Sequence, residues 1–218
     1  AGKEALIPRY VDALTVDLAH QADTVRDREI VSIFIGGGTP SLLDGDQMSR
    51  ILAACREHYR MTEDCEISVE TNPNSVDTEK LAAWRAAGVN RLSIGAQTLD
   101  RKGLRRLGRQ HEADDVHLAL EAARGAGFDR VSIDLIFGWP GQTLEIWRHD
   151  LRMLLAHPAG PNHLSLYSLI VEPGTPYADM QTRGILPIPD DETTADMYEL
   201  AVDLLRRATI EGGAQTVA

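Results

Sequence analysis

Residues 130–143 read RVSIDLIFGWPGQT, an apolar run closed by a Gly-Trp-Pro-Gly turn. At the two-residue period of a β-strand, Val131, Ile133, Leu135 and Phe137 share one face. Ser132, Asp134 and Ile136 share the other. The first face suits a layer of helices. The second carries an acid in the middle of a buried strand, which is costly unless the acid has a partner or a ligand. Together they ask for a sheet with one apolar face and one polar face.

The pattern recurs. Short runs rich in Val, Ile and Leu lie at 30–35, 66–71, 91–96, 130–137 and 163–170, each the length of a buried parallel strand. In 31–36, Val31, Ile33 and Ile35 oppose Ser32, Phe34 and Gly36. In 66–72, Ile67, Val69 and Thr71 oppose Ser68, Glu70 and Asn72. In 92–97, Leu92, Ile94 and Ala96 oppose Ser93, Gly95 and Gln97. In 164–169, Leu164, Leu166 and Leu169 are apolar, while Ser165 and Tyr167 share a face. Every strand thus pairs an apolar stripe with a stripe that opens on serine. Helical patterns at about 4–22, 45–59, 77–87, 112–126, 143–156 and 190–208 fill the intervals, with Asp77 as the expected cap of the third. Such alternation implies a parallel sheet with right-handed crossovers. A doubly wound sheet is covered by helices on both faces and needs both stripes apolar. The serine-led stripes favour a partial barrel with the apolar stripes facing helices. Its ligand site is expected at the C-terminal strand ends.

Composition narrows the partners. The 218 residues suffice for one barrel. With 33 acidic and 22 basic residues the net charge is −11, which argues against a nucleic-acid partner held through its phosphates. No apolar run approaches the ~20 residues that cross a bilayer, and no secretory signal is visible. Cys55 and Cys65 match no metal-ligand spacing and fit the free thiols of a reducing cytoplasm. The histidines are scattered without an HxxxH or HExxH pair, so no metal ligands are assigned.

Five stretches carry chemistry. Gly36-Gly37-Gly38-Thr39-Pro40 directly follows a strand. It either exposes backbone groups to a ligand or makes a tight turn, and it is neither GxGxxG nor a Walker loop. Glu70, in ISVETNP, sits on an inner stripe and needs a ligand or a salt bridge, for which Arg91 is the candidate. Gln97 ends RLSIGAQ. Arg109 follows in a basic stretch with Arg101, Lys102, Arg105 and Arg106, suiting either a carboxylate clamp or a solvated face. Asp134 is the acid already described. In LSLYSLIVEPGTP, Tyr167 faces inward and Glu172-Pro173-Gly174 turns out of the barrel.

GGGTPSLL, EISVETNP, RLSIGAQT, DLIFGWPGQT and LSLYSLIVEPGTP occur in that order, within about residues 1 to 207. Together they resemble the radical-SAM proteins related to oxygen-independent coproporphyrinogen III oxidase, and most of all the branch called heme chaperone HemW. The resemblance implies an α/β fold, a partial (β/α)6 TIM-like barrel over 1–207 with its first strand missing, and an irregular tail at 208–218. It implies S-adenosylmethionine and a 4Fe-4S cluster, whose reduction of S-adenosylmethionine releases a radical. It implies heme or a porphyrinogen as partner. One branch delivers heme to an apo-protein; the other decarboxylates coproporphyrinogen. The cofactor-holding positions carry over to Gly37, Gly38, Thr39, Glu70, Gln97, Arg109 and Asp134, with Arg109 singled out by the resemblance alone. The family's CxxxCxxC motif precedes the segment that Ala1-Gly2-Lys3 resembles, and a smaller domain follows the barrel; neither lies within these residues. The chain as given is expected to hold no cluster, to bind S-adenosylmethionine weakly and to start no radical chemistry, so catalytic residues stay unassigned. An unrelated parallel barrel enzyme is the third reading.

Overall fold

The computed structural model describes residues 4–212 and 216–217. Strands β1 (Ile30–Ile35), β2 (Met61–Thr71), β3 (Arg91–Gln97), β4 (Arg130–Phe137) and β5 (His163–Ser168) form one sheet, joined by a two-residue β6 (Thr216–Val217). All pairings are parallel and the strand order is β1-β2-β3-β4-β5-β6. A doubly wound sheet reverses its order at a switch point. This one never does, so crossovers of one hand leave the helices on one face and the sheet curls into a half-barrel.

Helices fill the crossovers: α1 (Ile7–Gln21), α2 (Gly45–His58), α3 (Thr78–Ala87), α4 (Arg101–Arg106), α5 (Ala113–Gly125), α6 (Leu144–Leu155), α7 (Pro176–Thr182) and α8 (Asp191–Gly212). Local chemistry sets their starts. Asp44 and Gln47 close a capping box on α2. The Asp77 carboxylate accepts the Lys80 N–H at 2.8 Å and caps α3. The apolar stripes meet the helices as their period required. Leu92, Ile94, Ile133 and Leu135 are buried with Trp84, Phe128, Leu120 and Trp147.

The serine-led stripes line the other face. Ser32, Ser68, Ser93, Ser132, Ser165 and Tyr167 all border one lumenal cavity of about 340 Å3. Among the described residues no helix packs there, which is why the face tolerates hydroxyls and acids. At the N-terminal end of the lumen Glu66 takes both Arg91 (3.5 Å) and Arg130 (3.3 Å).

Four expectations change. β2 begins at Met61, because Ile30 pairs with Met61 before the register shifts to Ser32 opposite Glu66. The short helices α4 and α7 lack an apolar period that marks them in sequence. Helix α8 runs to Gly212, beyond residue 208, since Arg206, Arg207 and Ala208 are good helix formers that carry it forward; Gly213–Gln215 and Ala218 lie outside the described residues. Val31, which its stripe places against helices, is 65% exposed, because β1 forms the edge of the sheet.

One acid is buried on the helix side. Asp150 of α6 is wholly shielded and accepts the Thr98 hydroxyl at 2.5 Å. Burial pushes its carboxyl up to about 6, against the pull of the Thr98 hydrogen bond. An unfolded aspartate titrates near 4. The folded state therefore holds the proton more firmly, and this group's contribution to stability falls as pH rises from about 4 through about 6. Asp150→Asn cannot ionise. It should lose less stability than the wild type between about pH 4 and pH 7.5, by on the order of 2 kcal/mol. Parallel urea-unfolding titrations check this, and identical pH slopes in the two proteins would refute it.

Candidate functional site

The C-terminal strand ends form a cleft of about 250 Å3, lined by Gly38, Thr39, Glu70, Gln97, Arg109 and Asp134 together with Ser93 and Gly95. Six of the seven residues marked in sequence meet there. The seventh, Gly37, sits on the rim and donates its N–H to Glu70 Oε2 at 3.1 Å.

Asp134 is held from its own sheet. Register places it beside Ser165 of β5, while Ser93 of β3 lies opposite Ser132. The Ser93 hydroxyl reaches the carboxylate at 3.0 Å (Oδ1) and 2.8 Å (Oδ2). Burial pushes the carboxyl up from its ordinary range, the Ser93 and Ser165 hydrogen bonds pull it back, and the charge of Glu70 adds to the upward push. Glu70 faces the same space from β2, opposite Ser93. Its partner is the glycine loop, not Arg91, which pairs with Glu66 instead.

The glycine loop is shaped for close approach. Gly37 (φ 74°) and Gly38 (φ 52°) occupy the left-handed region, which a side chain resists by roughly 1–2 kcal/mol. A methyl group at Gly36 would collide with the Phe34 ring and lie 3.0 Å from the Glu70 carboxyl. The loop thus leaves backbone groups open beside a carboxylate.

Arg109 owes its place to a helix end that the basic stretch conceals. Gly108 takes a left-handed conformation (φ 66°) after α4. Its N–H bonds Arg105 O at 3.1 Å, and the Arg109 N–H bonds Leu104 O at 2.8 Å. This is a Schellman stop, and it turns Arg109 back over the cleft. Among the described residues its guanidinium has no hydrogen bond or ion pair. Two of its basic neighbours are engaged elsewhere, Arg101 with Glu112 at 3.6 Å and Arg106 with the Pro140 carbonyl; of the basic stretch only Arg109 lines the cleft. In sequence Gly108 marks this stop only once a helix as short as Arg101–Arg106 is recognised.

Sequence position marks Gln97 but not its conformation. It is the one non-glycine among the described residues with positive φ (65°), and it follows an irregularity in the β3–β4 ladder, where Ile94 faces Ile133 but Gln97 faces Leu135. An unpaired guanidinium, two carboxylates and an open glycine loop in one cleft suit a zwitterion that also carries hydroxyl groups. The two cysteines lie elsewhere, Cys55 on α2 and Cys65 on β2, both buried with burial raising their thiols. They do not supply the three converging thiolates of an iron–sulfur cluster.

A parallel half-barrel with its polar cleft at the C-terminal strand ends defines a class. Residues 6–154 match the model of the radical SAM superfamily, and the chain belongs to that superfamily. Within it the chain stands with the proteins like HemN and HemW. It is 38% identical over 197 residues to the heme chaperone HemW of Bacillus subtilis, covering 90% of this chain and 52% of that protein. It is 41% identical over 208 residues to the mitochondrial radical S-adenosyl methionine domain-containing protein 1 of Mus musculus, covering 93% and 47%. Among solved structures, the coproporphyrinogen III oxidase HemN of Escherichia coli, described as a radical SAM enzyme, superposes with a TM-score of 0.81 at 27% identity, covering 95% of this chain and 47% of that one. The chain spans about half the length of the curated relatives it matches. No helix among the described residues is long and apolar enough to cross a membrane.

The crowding at Gly36 is testable. Gly36→Ala should lower stability by about 1 kcal/mol in urea unfolding, the low end of overpacking, because the side chains it meets lie at the surface and can yield. Adding Phe34→Ala should recover part of the loss, because that ring is mostly exposed and only its collision is removed. A Gly36→Ala chain as stable as the wild type would contradict the packing described.

Proposed function

We propose that this chain forms the S-adenosylmethionine-binding half-barrel of a heme chaperone like HemW, which binds heme and delivers it to an apo-protein. The observation that carries the cofactor half is the unpartnered Arg109 facing two carboxylates and an open glycine loop across one cleft. Arg109 takes the methionine carboxylate. Backbone groups of Gly37, Gly38 and Thr39 take the ammonium group. Glu70 and Asp134 accept from the ribose hydroxyls, and the Gln97 amide closes the wall between β3 and the Arg109 turn. Bound S-adenosylmethionine is the radical precursor of the superfamily. The cluster's ligands are not among these residues, so no radical step is assigned to them.

The chaperone branch is favoured by the identities of 38% and 36% to HemW of Bacillus subtilis and Lactococcus lactis. The likeness to HemN favours the second reading, an oxygen-independent coproporphyrinogen III oxidase acting on a porphyrinogen. Either activity belongs to a protein about twice this length. Free, buried cysteines support a reducing compartment such as the cytoplasm.

Calorimetric titration of S-adenosylmethionine into the intact full-length protein tests the cofactor reading. Asp134→Ala and Arg109→Ala should each weaken binding by about tenfold or more, the scale of one lost charge-assisted hydrogen bond; unchanged binding in both would overturn it. Since burial raises the Asp134 carboxyl, affinity should fall on acidification above the range of an ordinary aspartate. Heme titration of the full-length protein beside a coproporphyrinogen decarboxylation assay separates the two branches.

A further inference from the structure

Gln97 is held in a conformation its side chain disfavours, and the means of holding it lie outside the cleft. The Thr98 N–H bonds Ala96 O at 2.8 Å. With φ 65° at Gln97, this closes a γ-turn of the rare, strained kind. A non-glycine residue persists there only where its surroundings over-determine it.

Two groups do so. Behind the turn, the wholly buried Thr98 donates its hydroxyl to Asp150 Oδ2 at 2.5 Å and accepts the Asp100 N–H at 3.1 Å. Asp150 comes from α6, a different crossover. On the other side, buried His111 donates from Nε2 to Ala96 O at 3.0 Å, the same carbonyl that closes the turn. The pocket around Thr98 is tight. A methyl group at Gly103 of α4 would lie 2.8 Å from Thr98 Cγ2 and 2.6 Å from the Trp139 ring. Helix α4 therefore seats directly on Thr98, and its Schellman end carries Arg109.

A buried carboxylate is an expensive way to fill a helix–sheet contact; an apolar residue there costs nothing in desolvation. Its use makes sense where it holds a particular geometry. We propose that Thr98 and Asp150 are positioning residues: their buried hydrogen bond holds Gln97 in its left-handed turn and seats α4, fixing the span of the cleft between Gln97 and Arg109. This rests on the reading of the cleft as a S-adenosylmethionine site.

The test combines a binding and a ligand-free readout on the full chain. Thr98→Val keeps the shape and removes the hydroxyl; Thr98→Ser keeps the hydroxyl. Amide hydrogen exchange at Gln97, Thr98 and Leu99 should quicken in Thr98→Val by about tenfold or more and return to within about threefold of wild type in Thr98→Ser. S-adenosylmethionine affinity should follow the same order. If Thr98→Val fails to fold, Thr98→Ala against Thr98→Ser gives the same comparison. Unchanged exchange in the hydroxyl-free variant overturns the latch whatever the ligand does. Quickened exchange with wild-type affinity overturns its link to the cleft. Asp134→Ala separates the two failures. If it weakens binding but the Thr98 variants do not, the positioning role fails. If it too leaves binding unchanged, the cofactor reading fails and takes the link to the cleft with it.

Discussion

The helices that share the core with the sheet (α1, α2, α3, α5, α6 and α8) pack on one face of it, and that asymmetry governs the rest. Because the strand order never reverses, the helix-facing stripes must be apolar and the lumenal stripes need not be. Serine can open each lumenal stripe, and Glu70 and Asp134 can follow on two of them. In a sheet covered on both faces each of those acids would need a buried partner. Here Ser93, the glycine loop and open cleft solve the problem between them.

The layers cooperate at the C-terminal strand ends. The glycine loop after β1 reaches Glu70 on β2. Ser93 on β3 reaches Asp134 on β4. The turn after β3 and the helix end after α4 bring Gln97 and Arg109 over the same opening. Each contact is modest, at most about 1.5–3 kcal/mol for a hydrogen bond to a charged group. What they share is pre-organisation: no group of the cleft has to be moved far to face a common centre.

Much of this was legible in residue order. The two-residue period of VSIDLIF separates core from lumen. Gly-Gly-Gly-Thr-Pro after a strand marks an exposed backbone, and Asp134 declares itself by being an acid inside an apolar strand. What stayed hidden depends on contacts between segments distant in sequence. Asp150 looks like an exposed helix acid in WRHDL until α6 packs it against Thr98. Gln97 looks like the last residue of a regular strand, because a positive φ leaves no mark when the residue is not glycine. Val31 carries an apolar pattern, yet its strand is the sheet's edge. Arg109 is a middle case, since Gly108 does mark a helix stop, but only once a helix as short as Arg101–Arg106 has been recognised.

The assignment of the cleft is most directly tested by nuclear magnetic resonance on isotopically labelled chain titrated with S-adenosylmethionine. Shifts should concentrate in Gly37, Gly38 and Thr39, the Gln97 side-chain amide, the Arg109 guanidinium and the Asp134 carboxyl. Shifts confined to the helical face, or none at saturating ligand, would contradict it.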